Sequence, residues 1–444
     1  AKPGQALTAL EKYVNTPDPT YKYELRKTIQ EKCFTTYILY MESQKWLTEK
    51  EVKDPVWWHW LTVVVPDEVK SDIGLLVIGG GSRNRKLPSG ANEIIAQTAL
   101  ATGTITAELH NIPNQKVQFI GDDYGPRQED ELIAYGWRKF LEGGGKESDA
   151  KWLARLPMTK AAVRAMDAIS DFTKNQIQKP VNRYTVMGAS KRGWTTWTTA
   201  IVDQRVIAIA PVVIDMLNVV PSFNHHWQVY GFWAPAVNDY VKEGIMDQQD
   251  SPEYQKLISI VEPYSYIERL KVPKFLINAT GDQFFIPDSW KFYWQDLPGE
   301  KYIRYVPNAD HSLKGSDAVE SFLAFYHSIV TEAKMPLFDW KVDKGIIKIT
   351  TDPSTPPQEI KLWKALNPEA RDFRLMTIGT AWKDQPISIE KDGTYEVTIP
   401  KPKKGWSAFY VELIFPSEGP VPYKFSTGVV VTPDVLPYPP YENE

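Results

Sequence analysis

Three scarcities in the sequence exclude whole classes of protein. A single cysteine, Cys33, rules out an internal disulfide framework and any CxxC metal site. No stretch reaches the roughly 18 consecutive apolar residues of a membrane-spanning helix. The net charge is −4 over 444 residues and there is no basic block, which argues against a nucleic acid as partner. With 43% apolar residues, the chain has the composition of a globular protein large enough for two domains.

Cys33 precedes an apolar run with β-branched residues that begins at Phe34. This setting favours a small, buried side chain at position 33. The alternative, a reactive thiol, requires a base partner that the sequence does not identify.

Strand-like apolar runs alternate with helical segments over the first three quarters of the chain. Helical periodicity is present in Arg127–Leu141 and Thr159–Thr173, and residues 1–30 are expected to form a charged helical segment with a Pro-rich break at Thr16–Thr20. The alternation predicts an α/β fold with a mostly parallel sheet and helices on both faces. The strand-like runs are Phe34–Tyr40, Trp57–Val65, Gly74–Ile78, Gly103–Glu108, Tyr184–Met187, Val206–Ile214, Lys274–Ala279 and Tyr302–Val306.

Two segments depart from this alternation. Residues 216–262 form an aromatic-rich insertion, which we expect to lie as a lid over the carboxyl edge of the sheet, where open α/β folds bind ligands. After about Met335, short strand-like runs follow one another, separated by Gly, Pro, Asn or Asp. This predicts a domain over 1–335 and an all-β, immunoglobulin-like sandwich over 336–444.

The strongest local signal is the strand, turn and helix of Tyr184–Thr199, which contains Ser190. A nucleophile elbow needs small residues around its serine, and Gly188 and Ala189 meet this need on one side. On the other side Arg192 replaces the second glycine of G-x-S-x-G, and Gly193 follows one residue later. Taken alone, this G-x-S-x-x-G pattern also fits an ordinary turn between a strand and a helix.

The surroundings of the motif favour catalysis. Asp282 follows one later strand and His311 follows the next, which is the order Ser, Asp, His of α/β-hydrolases. His311 would take the proton of Ser190, and Asp282 would orient the imidazole. Asp215, at the end of Val206–Ile214, is an alternative acid, and Asp288 lies near but after Pro287.

Further residues are candidates for transition-state or substrate contacts. The N–H of Lys191, with Gly80 and Gly81 in the glycine run 79–81, could form an oxyanion hole. Arg192 is either a solvated residue at the helix start, a ligand for an acidic group of the substrate, or a further stabiliser of the oxyanion. His225, His226 and Trp227 lie in the insertion, where lid packing, hydrogen bonding or substrate contact are all open. Adjacent histidines diverge by roughly 100° on a helix, so no metal site is predicted, and no cofactor is implied.

Five longer segments carry a resemblance to a known family. They are RQEDELIAYGWRKFL, VMGASKRGWTTW, FNHHWQVYGFWAPAVNDYVKEGI, NATGDQFFIPDSW and VPNADHSL, and ALNPEARDFR extends the match into the β-rich region. In this order they resemble the PhoPQ-activated pathogenicity-related protein family. The resemblance implies an α/β-hydrolase-like fold, a C-terminal β-sandwich and export to the periplasm or the cell exterior. It implies no particular substrate.

The sequence thus predicts a serine hydrolase that cleaves an ester or amide of a small molecule or peptide through an acyl-enzyme on Ser190. The alternative hypothesis is a secreted binding or signalling protein on a hydrolase-like scaffold with little turnover, which the crowded elbow at Arg192 favours. The chain begins with Ala1, which fits a removed leader or a trimmed chain equally well. The oligomeric state is left open.

Overall fold

The computed structural model describes residues 5–443. Its strands are β1 Lys22–Gln30, β2 Phe34–Lys45, β3 Val56–Pro66, β4 Ile73–Ile78, β5 Thr106–Leu109, β6 Arg183–Ala189, β7 Val206–Val212, β8 Lys274–Ala279, β9 Lys301–Val306, β10 Phe338–Asp343, β11 Ile346–Thr351, β12 Glu359–Asn367, β13 Lys383–Ile387, β14 Thr394–Val397, β15 Trp406–Phe415, β16 Tyr423–Ser426 and β17 Val430–Thr432. Its α-helices are α1 Ala9–Asn15, α2 Glu93–Thr102, α3 Glu129–Glu142, α4 Arg155–Phe172, α5 Lys191–Val202, α6 Val219–Tyr230, α7 Asn238–Lys242, α8 Pro252–Val261, α9 Ala318–Thr331 and α10 Leu375–Ile378.

The described chain divides into two compact units, each made of two stretches of sequence. The first unit contains the residues up to Pro211 together with Asn238–Pro273. The second contains Val212–Val237 and Lys274–Asn443. The sequence pattern places a domain boundary at residue 335, and that boundary stays a prediction.

In the first unit the strand order is β1-β2-β3-β5-β4-β6-β7. The pairs from β1 to β5 are antiparallel, whereas β5, β4 and β6 run parallel to one another. β4 is an almost uninterrupted apolar run, IGLLVI, and it is buried because sheet neighbours cover both of its edges and helices pack on its faces. The register pairs Ile78 of β4 with Gly188 of β6, so the loops that follow these strands leave the sheet side by side.

In the second unit β8 and β9 pair in parallel, with Ala279 opposite Val306. Antiparallel strands follow in the orders β10-β11-β14 and β13-β12-β15-β16, with β17 paired to β15. Phe338 of β10 packs against Phe415 of β15 at a ring-centroid distance of 5.2 Å, which links the two antiparallel sheets.

The expected α/β-hydrolase-type fold is confirmed, with parallel strands followed by helices and a C-terminal antiparallel β region. The immunoglobulin-like topology of that β region stays a prediction, and residue 444 lies outside the described residues. Among residues 5–443, no helix has the length and apolar character needed to cross a membrane.

Two expectations for the N-terminal region were wrong. Of the predicted helical segment 1–30, Ala9–Asn15 is α-helical and ends at the expected break Thr16–Thr20, but Lys22–Gln30 is the edge strand β1; residues 1–4 lie outside the described part. Cys33 is exposed rather than buried, because it lies in the hairpin turn between β1 and β2 with a φ of 76°.

The aromatic insertion 216–262 is helical and is shared between the two units. α6 belongs to the second unit, whereas α7 and α8 belong to the first. Ser251 caps α8 by accepting a hydrogen bond from the Tyr254 N–H, and Pro252 occupies the first helical position, where it needs no partner for an N–H. That this insertion acts as a lid stays a prediction.

Candidate active site

Ser190 occupies the sharp turn between β6 and α5. Its backbone has φ 58° and ψ −122°, a region that costs a non-glycine residue roughly 1–3 kcal/mol and recurs at functional sites. Gly188 permits the turn, because a Cβ there would lie 2.4 Å from the carbonyl oxygen of Arg192. Ser190 is half-buried and is the N-cap residue of α5. This is the geometry of a nucleophile elbow, formed without a glycine at position 192.

The loop after β4 supplies backbone N–H groups beside this turn. Within the described chain, the N–H groups of Gly80 and Gly81 donate no hydrogen bond, while the Asn111 N–H holds the Gly80 carbonyl oxygen at 2.8 Å. Gly81 has φ 128°, and a Cβ there would lie 2.5 Å from Asn111 Oδ1, so this position requires glycine. The two N–H groups, together with that of Lys191 at the start of α5, are available to an oxyanion.

Arg192 and Lys191 both bond to Glu129 at the start of α3. Arg192 donates from Nη2 to Glu129 Oε1 at 2.7 Å and from Nε to the carbonyl oxygen of Ile112 at 2.6 Å. Lys191 Nζ lies 2.8 Å from Glu129 Oε2. Burial raises the pKa of Glu129, but the two cations outweigh burial and hold it at about 2. The Arg192 guanidinium also packs against Gly80, where a Cβ would lie 2.6 Å from Nη2.

Asp282 and His311 are in direct contact in the second unit. His311 Nδ1 lies 2.9 Å from Asp282 Oδ2, and Asp282 is buried. The other carboxylate oxygen of Asp282 accepts hydrogen bonds from the Phe284 N–H at 2.7 Å and the Phe285 N–H at 3.3 Å. A carboxylate fixed in this way favours the proton on Nδ1, which leaves Nε2 as the basic nitrogen of the imidazole.

The loops that carry this pair are tied to each other. The Gly281 N–H donates to the Ala309 carbonyl oxygen at 2.9 Å, and the His311 N–H donates to Gln283 Oε1 at 2.8 Å. The Phe284 ring lies 4.4 Å from the imidazole, measured between ring centroids. The position of His311 is therefore defined by its backbone, its ring nitrogen and its ring face.

Asp215, the alternative acid, has other partners. It accepts hydrogen bonds from the hydroxyls of Tyr293 at 2.6 Å and Tyr305 at 2.7 Å. Burial raises the pKa of Asp215 to about 7, although both tyrosines stabilise its charged form. The carboxylate in contact with His311 is that of Asp282.

The candidate residues on α6 are bonded within the protein. His225 Nε2 lies 2.7 Å from Asp288 Oδ1, at the residue before the short 3-10 helix Ser289–Phe292. His226 Nε2 accepts the Ala234 N–H at 3.0 Å, and burial lowers the pKa of His226 to about 3. Trp227 packs against Trp233, with 5.1 Å between ring centroids. Both histidines are buried.

A second serine–histidine pair lies in the first unit. Ser43 Oγ and His59 Nε2 are 2.8 Å apart on strands β2 and β3, and both residues have no exposed surface. His59 Nδ1 also lies 3.0 Å from the His110 carbonyl oxygen. No substrate can reach a pair enclosed in this way, so we assign it to the core.

The predicted site residues thus fall into two sets. The first unit contains Ser190, Lys191, Arg192, Gly80 and Gly81, and the second contains Asp282, His311, His225, His226 and Trp227. Sequence reasoning missed Glu129, Gln283 and Phe284. Glu129 lies in RQEDELIAYGWRKFL, and the other two directly follow Asp282 in GDQFF, so the sequence marks these segments but not the roles of the three residues.

Comparisons with known proteins find solved structures of limited similarity and a closely related sequence family. Solved structures with similarity to this chain include acetyl xylan esterase 1 from a Thermoanaerobacterium species, with 16% identity, 71% of this chain and 90% of that chain covered, and a TM-score of 0.48. An acetyl xylan esterase from a Paenibacillus species has 14% identity, 72% and 92% coverage, and a TM-score of 0.49. These scores are below 0.5 and carry no weight in the assignment.

The sequence relationships are much stronger. Autocrine proliferation repressor protein A of Dictyostelium discoideum is 38% identical over 458 aligned residues, which cover 97% of this chain and 92% of that protein. The sequence profile of the PhoPQ-activated pathogenicity-related proteins matches residues 10–374. The chain therefore belongs to the PhoPQ-activated pathogenicity-related protein family.

Proposed function

We propose that this protein is a serine hydrolase that cleaves an ester or amide bond of a small molecule or peptide, with Ser190 as nucleophile. The observation that carries the proposal is the strained turn at Ser190 beside a loop whose Gly80 and Gly81 N–H groups are unbonded in residues 5–443. A strained serine at the end of a parallel strand presents its Oγ to solvent, and unbonded N–H groups nearby can stabilise the oxyanion of a tetrahedral intermediate.

His311 and Asp282 complete the proposed mechanism. His311 Nε2 takes the proton of Ser190 as its Oγ attacks the carbonyl carbon of the substrate, and later delivers that proton to the leaving group. Asp282, at 2.9 Å from Nδ1, keeps the imidazole in the required tautomer and stabilises the imidazolium that forms. Water then hydrolyses the acyl-enzyme by the same proton transfers in reverse order.

The test is covalent labelling with a fluorophosphonate probe, followed by mass spectrometry of the labelled peptide. We expect the label on Ser190 and its loss in Ser190→Ala. Ser259→Ala, which removes an exposed serine hydroxyl in the first unit, is the matched control and should label like the wild type. Absence of labelling near neutral pH, or labelling that persists in Ser190→Ala, would show that Ser190 is not an activated nucleophile. Acetyl, longer acyl and aminopeptide chromogenic substrates would then define the hydrolase class.

A second candidate function is extracellular signalling on a hydrolase-like scaffold. A relative that is 38% identical over 97% of this chain carries the name of an autocrine proliferation repressor, and this favours secretion together with an effect on cell growth. Export to the periplasm or the exterior is accordingly part of the proposal. The same Ser190→Ala protein separates the two functions: repression of growth by purified protein that survives the substitution belongs to the scaffold, and repression that disappears with labelling belongs to the hydrolase.

A further inference from the structure

A cavity of about 420 Å³ lies in the second unit, and neither Asp282 nor His311 belongs to its lining. Its walls are β9 with the loop after it, and strands β12, β15 and β16 of the antiparallel region. Small-molecule sites occupy roughly 300–1,000 Å³, so the cavity has room for an organic ligand rather than for single waters alone.

The lining of this cavity has an excess of positive charge. Asp317 is matched by two cations, since Arg304 Nη2 lies 2.6 Å from one carboxylate oxygen and Lys424 Nζ lies 2.6 Å from the other. Burial raises the pKa of Asp317, but these cations lower it to about 2. The cations of the lining are Arg304, Lys314, Lys361 and Lys424, and its carboxylates are Asp317 and Glu412.

Lys314 and Lys361 account for the excess of positive charge in the lining. Glu412 lies 3.9 Å from Arg304, so Arg304 and Lys424 balance the two carboxylates of the lining. Lys314 is exposed on the loop after β9. Lys361 has ion pairs of 3.5 Å with exposed carboxylates outside the lining, which solvent screens.

Two buried donors of the lining lack acceptors. In residues 5–443, Arg304 Nε and Trp363 Nε1 are both inaccessible and have no hydrogen-bond partner, and Arg304 is only 2% exposed. Because neither N–H is open to the cavity, both stay within the protein interior, and recognition of a ligand falls to the charged side chains of the lining. A carboxylate or phosphate provides several acceptor oxygens and the negative charge that the lining lacks.

The cavity also adjoins the segment that carries His311. Pro307 and Asn308 at one end of the loop and Lys314–Asp317 at the other belong to the lining, and His311 lies between them. Asn308 is held by the Trp382 backbone, with its Oδ1 accepting the Trp382 N–H at 3.0 Å. A ligand bound to this wall would therefore contact the same loop that positions the imidazole.

We propose that this cavity binds an organic anion, a carboxylate or phosphate on a body about the size of a monosaccharide. The anionic group is recognised by Lys314 and Lys361, the two cations of the lining that its carboxylates do not balance. The site is distinct from the proposed acyl-enzyme site and does not depend on hydrolysis.

Isothermal titration calorimetry of the full chain at low salt tests the proposal with three matched probes: glucose 6-phosphate, glucuronate and glucose. We expect glucose 6-phosphate or glucuronate to bind, glucose to bind at least tenfold more weakly, and the difference to shrink in 0.5 M salt because ionic strength screens the charges. A preference for one of the two anions shows whether the site recognises a phosphate or a carboxylate. Equal binding of glucose, or no binding of either anion at millimolar concentration, overturns the proposal.

Variants locate the site. The double substitution Lys314→Gln/Lys361→Gln should weaken anion binding about tenfold. Lys401→Gln/Lys403→Gln removes the same charge from exposed positions outside the cavity and should leave binding unchanged. An equal loss in this control would assign binding to the general surface charge. Because calorimetry needs no turnover, a failure here is distinguishable from a failure of Ser190 labelling.

Discussion

Arg192 stands where a nucleophile elbow ordinarily has glycine, and its contacts explain how the larger residue is accommodated. Gly188 provides a close approach of strand and helix, and the turn forms with Arg192 in place of the second small residue. The Arg192 side chain instead bonds to Glu129 and Ile112 and packs against Gly80. The residue thereby connects the helix after Ser190 to the loop with the unbonded N–H groups, so it helps to position that loop.

The role of Glu129 could not be read from the sequence. Acidic residues at the start of a helix are common and have a sufficient explanation in the helix dipole. Its pairing with Lys191 and Arg192 depends on α3 and α5 meeting at their N-terminal ends, which is a tertiary contact. The contact between Asp282 and His311 was predictable because each lies in the loop after a buried apolar strand, whereas their catalytic roles stay a proposal.

Asp215 should make the stability of the folded protein depend on pH. An aspartate has a pKa of about 3.9 in the unfolded chain, and burial raises the pKa of Asp215 to about 7 in the folded one. The folded state therefore holds a proton that the unfolded state has lost between these values. The stability that this proton supplies is complete below about pH 4 and disappears as the pH rises through about 7.

Asp215→Asn should remove this dependence, because the amide stays neutral and can still bond to the hydroxyls of Tyr293 and Tyr305. We expect the free energy of unfolding to rise by roughly 4 kcal/mol relative to wild type at pH 8 and to change little at pH 4. Urea unfolding at both pH values measures the effect, with the exposed Asp123→Asn as control. If the substitution raised the free energy of unfolding equally at pH 4 and pH 8, the effect could not arise from the proton on Asp215.

At the scale of elements, the junction of β6 and α5 is the most constrained point of the site. A Cβ at Gly188 would lie 2.4 Å from the Arg192 carbonyl oxygen and 2.7 Å from its carbonyl carbon, and backbone atoms of a helix cannot move aside independently. Gly188→Ala should therefore displace the start of α5, lower the free energy of unfolding by roughly 1–3 kcal/mol and abolish labelling of Ser190.

Gly90→Ala is the comparison for that substitution, since a Cβ at Gly90 would have no atom within 4 Å. Its stability and labelling should equal those of the wild type. Chemical denaturation and probe labelling on both variants give the two quantities. Full labelling in Gly188→Ala would show that the elbow tolerates the displacement and would remove the steric argument.

Strands were predictable where one or both faces are buried and not where both faces meet solvent. β8 and β4 appear in the sequence as apolar runs because they are almost wholly buried. β1 and β13 are edge strands with mostly exposed residues, and β13 contains Pro386, so neither shows apolar alternation. The same cause explains the wrong expectation for Cys33, since the apolar run starts one residue later, at Phe34, after the hairpin turn.

At the scale of the whole molecule, the division of the chain does not follow the change in sequence pattern. The chain passes from the first unit to the second after Pro211, back after Val237 and again to the second after Pro273. Strands β8 and β9 share their unit with the antiparallel region that follows Met335. The sequence pattern indicates which secondary structure a segment forms, whereas the compact units depend on which segments pack against one another. The domain boundary at residue 335 therefore needs a direct test.

The contacts inside the second unit predict the result of that test. The Ser426 hydroxyl accepts the Tyr305 N–H at 3.0 Å, the Trp290 indole donates to the Val429 carbonyl oxygen at 2.9 Å, and the Phe425 ring lies 4.5 Å from that of Tyr302. A chain that ends at residue 335 would expose these aromatic surfaces and leave buried polar groups unpaired, each of which is destabilising.

We therefore expect the chain 1–335 to lose cooperative unfolding and its near-ultraviolet circular dichroism, and to bind a hydrophobic dye, as a chain without fixed tertiary packing does. Co-expression with the segment 336–444 as a separate polypeptide is the matched control, because it restores every one of these contacts without restoring the peptide bond. Recovery of the near-ultraviolet signal in the control, and its absence in the shortened chain, would show that the β-rich region completes the core around β8 and β9. A shortened chain that unfolds cooperatively by itself would instead establish residue 335 as a true domain boundary.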